Sequence, residues 1–405
     1  MWEAFIDWAD THHDALVLDE KRQQCGSLRV DHTPEGLARL NSFLESITGS
    51  EQKEQMACII ETNHGLLIAF LLEAGWPVYP VNPRTVERRR GASGAKTDAL
   101  DAYLLAKTGR ADLADLRRLT PDSELVQELK ALTRDQDALI QMQTRLVNQL
   151  TATRVTSYPV ALQLFAGALQ QHSSLIFLQS YPTPQVAMDA SVEQITAVLK
   201  NAGHSRAQQV VPQIFETLHQ PHLTADALTT RTKSRLMLAL VAQLLPLVQQ
   251  IADYGKEIQR LFLMHEAYLV FRSLPRAGKR LAPRRLAEIG DEHSRYADAK
   301  SLQALAGTSP VLFQSGNYAK AHRRLGCIKP LRNALHQFAR ATSQQEGWAK
   351  DDYQRKRAEG KSHSVALRAL ANVWVRIIFA MLTSHEPYDP ATFETAQHRH
   401  ARRLA

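Results

Sequence analysis

Four carboxylates in the N-terminal quarter of the chain have the types and spacing of a metal site. Asp7 and Glu61 each end a short apolar run. Asp98 and Asp101 lie three residues apart at the start of a helical segment, so they share one helix face. Clustered carboxylates are unfavourable unless a cation cancels their charge, and hard divalent cations prefer oxygen ligands. The pattern predicts a site for Mg²⁺, with Mn²⁺ as the alternative.

Other residues compete for these roles. Asp10 and Asp14 lie close to Asp7, and the His12-His13 pair has metal-binding side chains. Asp7 is preferred because it directly follows an apolar run, and an all-carboxylate cluster suits Mg²⁺ better than histidine does. Glu73 and Glu87 are the alternatives to Glu61, but neither ends a strand. Asp98 also fits the first turn of a helix, where the dipole favours an acid.

The elements around these carboxylates predict the fold that positions them. Short apolar runs and helical spacing alternate in the order strand, strand, strand, helix, strand, helix, strand, helices. Thr33-Pro34 has the signature of a helix start, a capping hydroxyl followed by proline. This is the order of an α/β RNase H-like (RuvC-like) domain, in which adjacent strand ends and a closing helix bring the four carboxylates together.

A second reactive group is predicted near the other end of the chain. Ser315-Gly316 follows the apolar run Val311-Leu312-Phe313, and Lys320, Arg323 and Arg324 come soon after. A serine nucleophile needs deprotonation and stabilisation of the charge that develops on the group it attacks, and cations can bind phosphate oxygens. By itself a Ser-Gly pair is more often only a turn.

Basic residues cluster beside these groups. A run of this kind is usually a solvated face, but three runs that flank candidate reactive residues favour phosphate contact. Such contacts would position nucleic acid without reading its sequence. The predicted contacts are Arg84, Arg88, Arg89, Arg90, Lys96, Arg276, Lys279, Arg280, Arg284, Arg285, Lys320, Arg323 and Arg324.

Composition agrees with a polyanionic partner. The 405 residues carry a formal net charge of +8, and charge of this sign favours association with nucleic acid. Three scattered cysteines indicate reduced thiols in a cytoplasm. We see no apolar run long enough to cross a bilayer and no signal segment. We therefore expect a bacterial cytoplasmic, nucleoid-associated protein without a membrane partner.

The middle of the chain has heptad spacing. Leucines recur every seven residues from Leu125 to Leu146, with companion positions from Leu129 to Leu150, and a second seam runs from Leu240 to Leu261. Such seams predict coiled-coil helices, paired with each other or with another protomer, although bundle helices fit as well. Pro246 is expected to kink the second helix. Residues 155–235 indicate short helices without metal-ligand spacing.

Several stretches together resemble the RuvC-like transposases of the insertion-sequence "one-ten" family. The first half carries AFIDWADTHHDALVLD, IIETNHG and GAKTDALDAYLLA, which give the D-E-D-D pattern. The second half carries RSLPRAGKRLAPRRLAEIGDEHSRYADAKSLQALAGTSPVLFQSGN. The resemblance covers most of the chain. It departs from the family in the turn Pro275-Arg276-Ala277-Gly278, where the family usually has two glycines, and around Lys329, where it commonly has Gly-Asn.

The resemblance implies a mechanism and its partners. The carboxylates would bind one or two Mg²⁺ ions, and Ser315 would attack a DNA phosphate to form a covalent intermediate. The carboxylate site of one protomer would be completed by the serine module of another, so a dimer or tetramer is implied. An element-encoded guide RNA would pair with target and donor DNA. The segment from Tyr268 would form a helix-hairpin-helix.

The domain boundaries follow from these patterns. We expect a catalytic domain at 1–118, coiled-coil arms with a helical insertion at 119–267, a mainly helical C-terminal transposase domain at 268–385 and a basic tail at 386–405. Two other functions stay open. One is a metal-dependent junction nuclease in which Ser315 is an ordinary loop residue, and the other is a nucleic-acid-binding protein without catalysis.

Overall fold

The chain divides into two compact units. The computed structural model describes residues 1–21, 23–82, 116–165, 167–316, 318–345, 347–392 and 395. The units are Met1–Pro121 and Asp122–Ala405, so the division falls close to the end predicted for the first domain. The predicted domain boundaries, 1–118, 119–267, 268–385 and 386–405, stay predictions.

The first unit is built on a five-stranded sheet. Its strands are β1 (Trp2–Trp8), β2 (His12–Leu18), β3 (Gln24–Asp31), β4 (Met56–Ile60) and β5 (Val78–Pro80). They lie in the order β3-β2-β1-β4-β5. β2 pairs antiparallel with both β1 and β3, whereas β4 pairs parallel with both β1 and β5. Strands joined by short turns can pair antiparallel, and strands separated by a helix can pair parallel.

Two helices cover one face of this sheet. They are α1 (Pro34–Thr48) and α2 (Leu66–Glu73), with a 3₁₀ turn at Lys53–Gln55 between α1 and β4. The Thr33 hydroxyl accepts a hydrogen bond from the Gly36 N–H at 3.1 Å, as the capping signature predicts. Leu40 and Leu44 of α1 are buried in the core formed with the sheet.

The predicted order of elements is confirmed as far as β5. The helical segment expected to follow β5 carries Asp98 and Asp101, and it lies outside the described residues. The first basic cluster, Arg84, Arg88, Arg89, Arg90 and Lys96, lies outside them as well.

The second unit is mainly helical, and its described residues include one β-hairpin. The hairpin strands are β6 (Val311–Ser315) and β7 (Tyr318–His322), and a 3₁₀ turn spans His293–Arg295. The helices are α3 (Glu124–Ser157), α4 (Val160–Leu164), α5 (His172–Ser180), α6 (Pro184–Met188), α7 (Val192–Asn201), α8 (Ala207–His219), α9 (Ala227–Met264), α10 (Tyr268–Ser273), α11 (Gly278–Ile289), α12 (Ala299–Leu305), α13 (Lys329–Thr342), α14 (Trp348–Ala358) and α15 (His363–Ser384).

The long helices α3 and α9 pair with each other within the chain. Leu129 near the start of α3 shares a core with Ile258 near the end of α9. Leu150 near the end of α3 shares a second core with Leu240, so the helices run antiparallel. The heptad spacing allows the two helices to pair with each other or with another protomer, and the structure shows the first of these. α9 continues without interruption past Pro246.

Two cores lie at opposite ends of this helix pair. The short helices α4 to α8 pack around the end that contains Leu150, which accounts for the predicted helical insertion. Helices α10 to α15 pack around the other end, where Phe338 and Trp374 are fully buried with their ring centroids 4.8 Å apart. The arms and the C-terminal module therefore share one core.

Two helices meet the length and apolarity of a membrane span, contrary to the expectation from sequence. They are α9 and α15. Such helices are weak evidence for a membrane, because core helices pass the same test. Trp374 and Ile378 of α15 lie in the core of the second unit, and Leu240 of α9 lies at its junction with α3.

Candidate active site

Asp7 and Glu61 emerge together at one edge of the sheet. β1 and β4 are parallel, and Ile6 pairs with Ile60 in the last printed step of their register. Asp7 directly follows Ile6, and Glu61 directly follows Ile60. By strand alternation they follow the face of Phe5 and Ile59, opposite the face covered by α1 and α2. Both are half-buried, so the sheet places two carboxylate residues after paired positions of adjacent parallel strands, on the same face.

Two of the competing residues, Asp14 and His13, have other contacts. Asp14 pairs with Asp7 across β1 and β2, but Arg29 binds its carboxylate with two hydrogen bonds of 2.7 and 2.6 Å. The His13 side chain is buried, and its Nε2 atom lies 2.8 Å from Nδ1 of His32. Burial and the neighbouring histidines lower the pKa of His13. Neither residue extends the Asp7–Glu61 pair.

The pair fits part of the expected metal site. Oxygen ligands from two carboxylates suit a hard divalent cation, and the sheet places them at adjacent strand ends. Within the described residues no group of three or more potential metal-binding side chains is assembled. The remaining predicted ligands, Asp98 and Asp101, lie outside the described residues.

Ser315 is the last residue of β6, rather than part of an open loop. It is exposed, and Tyr318 is its partner in the antiparallel register. Gly316 has a φ of +55°, as two-residue hairpin loops of the primed type require after the strand. A Cβ added at Gly316 would meet no atom of the described residues within 4 Å. Gly316 is therefore explained by backbone conformation.

The sequence around this hairpin is basic and contains no acidic residue. From Ala299 to Gln345 the chain contains no aspartate or glutamate. Lys320 and Arg323 are exposed and Arg324 is half-buried. Lys320 is a diagonal neighbour of Ser315 across the hairpin, a separation of about 7–8 Å between backbones. Its flexible side chain lies on the same hairpin face as Ser315.

Sequence reasoning missed a group at the base of the hairpin. Burial, followed by the charges of Arg332, Arg368 and Arg323, lowers the pKa of His336 to about 4. Its Nε2 atom is buried without a hydrogen-bond partner among the described residues. Arg368 is distant in sequence and comes close because α13 packs on α15. The i, i+4 spacing of Arg332 and His336 is the one local signal.

Helices α10 and α11 are joined by a short turn, Leu274–Ala277, as a helix-hairpin-helix requires. Arg276 is exposed in this turn and adopts a φ of +54°. That left-handed conformation favours glycine, so Arg276 occupies a position in the turn that glycine would occupy without strain. Lys279 is also exposed. Arg276 and Lys279 are therefore available for contact with phosphate.

The structure corrects the prediction for Arg284 and Arg285. Their side chains are 4% and 0% exposed. Arg284 donates to both oxygens of Asp137 on α3, at 2.8 and 3.1 Å. Arg285 lies 3.9 Å above the Phe338 ring, and burial lowers its pKa to about 9. These arginines belong to helix packing in this structure and are not available to phosphate.

Arg280 has an intermediate position. It donates to Asp137 at 3.0 Å, but its side chain is 44% exposed. A helix has both a buried and an exposed side. The basic run in the sequence therefore does not show that Arg280 is more exposed than Arg284 and Arg285.

Known families match both halves of the chain. Residues 5–159 match a family described as "Transposase" of the IS110 DEDD type. Residues 268–354 match the "Transposase IS116/IS110/IS902 family". The first match includes both the Asp7–Glu61 pair and α3, and the second includes Ser315.

Curated relatives extend this similarity over most of the length. The "Mini-circle putative transposase for IS117" of Streptomyces coelicolor is 31% identical, covering 96% of this chain and 97% of the relative. The "Insertion element IS116 uncharacterized 44.8 kDa protein" of Streptomyces clavuligerus is 30% identical, with 95% and 96% covered. The "Insertion element IS900 uncharacterized 42 kDa protein" of Mycobacterium paratuberculosis is 27% identical, with 97% and 98% covered.

Proposed function

Because the chain belongs to the IS110/IS116 family of transposases, we propose that it cuts and rejoins DNA through Ser315 and a carboxylate site in an RNase H-like (RuvC-like) domain. The observation that carries the proposal is the position of Ser315 at the exposed end of a hairpin whose flanking sequence, from Ala299 to Gln345, is basic and contains no aspartate or glutamate. This is a suitable environment for a phosphodiester.

The serine step conserves the number of phosphoester bonds. The Ser315 oxygen attacks phosphorus, a new serine–phosphate bond forms, and the bond from phosphorus to one deoxyribose oxygen breaks. The departing oxygen takes up a proton, which balances the proton lost by the serine. A hydroxyl of another DNA strand then reverses the step and frees the serine. Lys320 would bind a non-bridging oxygen as charge develops on it.

The carboxylate site would contribute to the same reaction, the cleavage and rejoining of phosphodiester bonds. Asp7 and Glu61, with Asp98 and Asp101, would hold Mg²⁺ or Mn²⁺, which supplies charge stabilisation at phosphate oxygens when it is bound. Support from this chain is the placement of Asp7 and Glu61 at adjacent strand ends on one sheet face. Their own role is to provide the oxygen ligands and to fix the ion at that edge.

The DNA would be positioned by the exposed cations. In the second unit these are Arg276, Lys279, Lys320 and Arg323, together with the half-buried Arg324, and Arg280 contributes if it leaves Asp137. In the first unit they are the residues predicted between Arg84 and Lys96. An element-encoded guide RNA and assembly into a dimer or tetramer remain part of the proposal, because the family resemblance implies both.

A covalent trapping assay tests the proposed function. Full-length protein, co-expressed with the element RNA, is mixed with Mg²⁺ and end-labelled DNA that spans the element ends, and denaturing gels are searched for a protein–DNA species. We expect this species with the wild type, its loss with Ser315→Ala and its weakening with Asp7→Ala. Ser309→Ala is the matched control, since Ser309 belongs to the same segment but is followed by proline.

Two results would contradict the serine mechanism. DNA cleavage that gives no adduct and is unchanged by Ser315→Ala would favour a metal-dependent nuclease. Tight DNA binding without any cleavage in the complete mixture would favour a binding protein.

A further inference from the structure

The β6–β7 hairpin separates its side chains onto two faces of different chemistry. Side chains alternate along a strand, and directly paired residues point to the same side. The face that carries the candidate nucleophile, named the serine face, holds Val311, Phe313, Ser315, Tyr318, Lys320 and His322. The opposite face holds Leu312, Gln314, Ala319 and Ala321.

The rings of the serine face are open to solvent. Phe313 is 56% exposed and Tyr318 is 55% exposed. Phe313 contacts the edge of the His322 ring, with centroids 4.8 Å apart. A single exposed ring needs no explanation. Three rings on one small face beside a candidate nucleophile indicate a surface that binds a partner.

The spacing of the two larger rings suits a planar guest. Tyr318 is opposite Ser315, and Phe313 is opposite Lys320, so the two rings are diagonal neighbours. Diagonal positions on an antiparallel pair are separated by about 7–8 Å. Successive nucleotides of a strand rise by about 3.4 Å, so the gap between the ring positions corresponds to roughly two such steps.

The charge around the face selects the class of partner. Lys320 is directly opposite Phe313 and two residues from Tyr318 on the same strand face, and Arg323 follows the strand. No described carboxylate lies within 4.0 Å of either cation, and the surrounding sequence from Ala299 to Gln345 contains no acid. An apolar protein surface would not satisfy these cations. A polyanion with planar rings satisfies both features, because bases stack on aromatic side chains while phosphates pair with cations.

We propose that the serine face binds unpaired nucleotides, whose bases stack on Phe313 and Tyr318 while Lys320 holds the adjoining phosphate. Bases inside a duplex are covered by their neighbours, so this surface favours DNA with an unstacked or single-stranded segment. The inference rests on the proposed function, because it places the bound nucleotides beside the phosphate that Ser315 would attack. Tyr318 and Phe313 would then be positioning residues for that phosphate.

A binding comparison tests the proposal. Full-length protein is titrated with a duplex that carries a short single-stranded tail with 2-aminopurine, and with the same duplex without a tail. We expect tighter binding of the tailed DNA and quenching of 2-aminopurine by stacking. The double substitution Phe313→Leu/Tyr318→Leu should reduce the preference for the tail by about tenfold to a hundredfold. Leu312→Ala, on the opposite face, should leave it unchanged.

Further variants keep the test independent of folding and of the serine chemistry. Phe313→Trp and Tyr318→Trp retain a stacking ring and should retain the preference. Ser315→Ala should abolish the covalent adduct yet keep the quenching, so failure of the serine mechanism and failure of stacking are distinguishable. The proposal is overturned if the wild type shows no preference for the tail or if the leucine variant keeps it. It is equally overturned if the leucine variant only changes the number of subunits in the particle, which would make the face a contact between protein chains.

Discussion

The residues around Ser315 fix its position at the end of a strand and supply nearby positive charge. The residue ends β6, faces Tyr318 and has Lys320 as its diagonal neighbour. Its hydroxyl is exposed, whereas Ser309 upstream is half-buried. In the proposed function, cations beside Ser315 would stabilise the charge that develops on the attacked phosphate. The proposed chemistry of Ser315 would therefore depend on DNA binding at the hairpin.

Arg276 holds an unfavourable backbone conformation. A non-glycine residue with positive φ costs roughly 1–2 kcal/mol. We predict that Arg276→Gly raises the free energy of unfolding by about 1 kcal/mol, since glycine relieves the strain but gains some entropy in the unfolded chain. The same change should weaken DNA binding through the lost charge. Urea unfolding and a DNA titration measure the two effects.

Arg276→Ala is the matched control for this prediction. It removes the charge but keeps the strain, so its DNA affinity should fall like that of the glycine variant while its stability should not rise. Equal stability of the two variants would show that the conformation at Arg276 is not costly.

Arg285 and Arg323 both belong to basic runs, but we predict that only Arg323 contributes to DNA binding. Arg285→Met removes a buried cation without a hydrogen-bond partner among the described residues. Its replacement by an apolar side chain should keep or raise stability, by about 1 kcal/mol, because the lost contact with Phe338 is offset by the removed desolvation cost. Arg323→Gln removes an exposed cation and should lower the slope of log affinity against log salt by about 1.

The measurement is a DNA titration over a range of salt concentrations, together with urea unfolding. Arg285→Met should leave the salt slope of the wild type unchanged. A reduced slope for Arg285→Met with an unchanged slope for Arg323→Gln would reverse the assignment of these two residues.

At the scale of elements, the α3–α9 pair decides which leucine seam is buried. Leu129 and Gln136 of the companion positions are buried, whereas Leu125 and Leu139 are half-buried. Gln136 donates to the carbonyl of Ile251 at 3.1 Å. The glutamine in the seam is thus placed by a hydrogen bond across the pair.

A pair of alanine substitutions tests this register. Leu129→Ala should lower the free energy of unfolding by about 2–5 kcal/mol, because it opens a cavity in the core shared with α9. Leu139→Ala should cost less than half of that, because its side chain is only half-buried. Thermal or urea unfolding gives both values, and a larger loss at Leu139 would place the seam on the other set of leucines.

The packing of α13 on α15 predicts a pH dependence. The pKa of His336 is lowered from 6.5 to about 4 by burial and by the charges of Arg332, Arg368 and Arg323. The unfolded chain therefore takes up a proton below about pH 6.5 that the folded chain refuses, so this residue reduces stability as pH falls from about 6.5 to about 4. Above that range it has no effect.

The prediction is checked by urea unfolding of the wild type and His336→Gln across this pH range. Many carboxylates also titrate here, so the difference between the two proteins is the relevant quantity. The stability of the wild type relative to His336→Gln should fall with decreasing pH. A constant difference would mean that His336 takes up protons as readily in the folded chain as in the unfolded one.

At the scale of the whole molecule, local signals predicted the fold of the first unit well. Thr33 caps α1 through neighbouring atoms, and the run that ends at Glu61 is apolar because β4 is buried. The positions of Asp7 and Glu61 at strand ends follow from such local patterns and from parallel pairing.

Long-range packing set the limits of prediction in the second unit. Arg284 and Arg285 look like phosphate ligands in a linear run, and only the approach of Asp137 and Phe338 from other helices reveals their burial. The sequence alone does not reveal the serine face, because Phe313 lies in the apolar run Val311-Leu312-Phe313. This face can be identified only from the strand register, which places Tyr318 opposite Ser315.

The most direct test of the serine mechanism is the identity of the residue bonded to DNA. The trapped adduct is digested with nuclease and trypsin, and the peptide from Ser301 to Lys320 is sequenced by mass spectrometry. It contains Ser301, Ser309 and Ser315 as well as Tyr318, so the nucleotide mass distinguishes among them. The mechanism predicts that this mass lies on Ser315. Its presence on Tyr318 or Ser309 would contradict the serine assignment, as would an adduct that forms in Ser315→Ala.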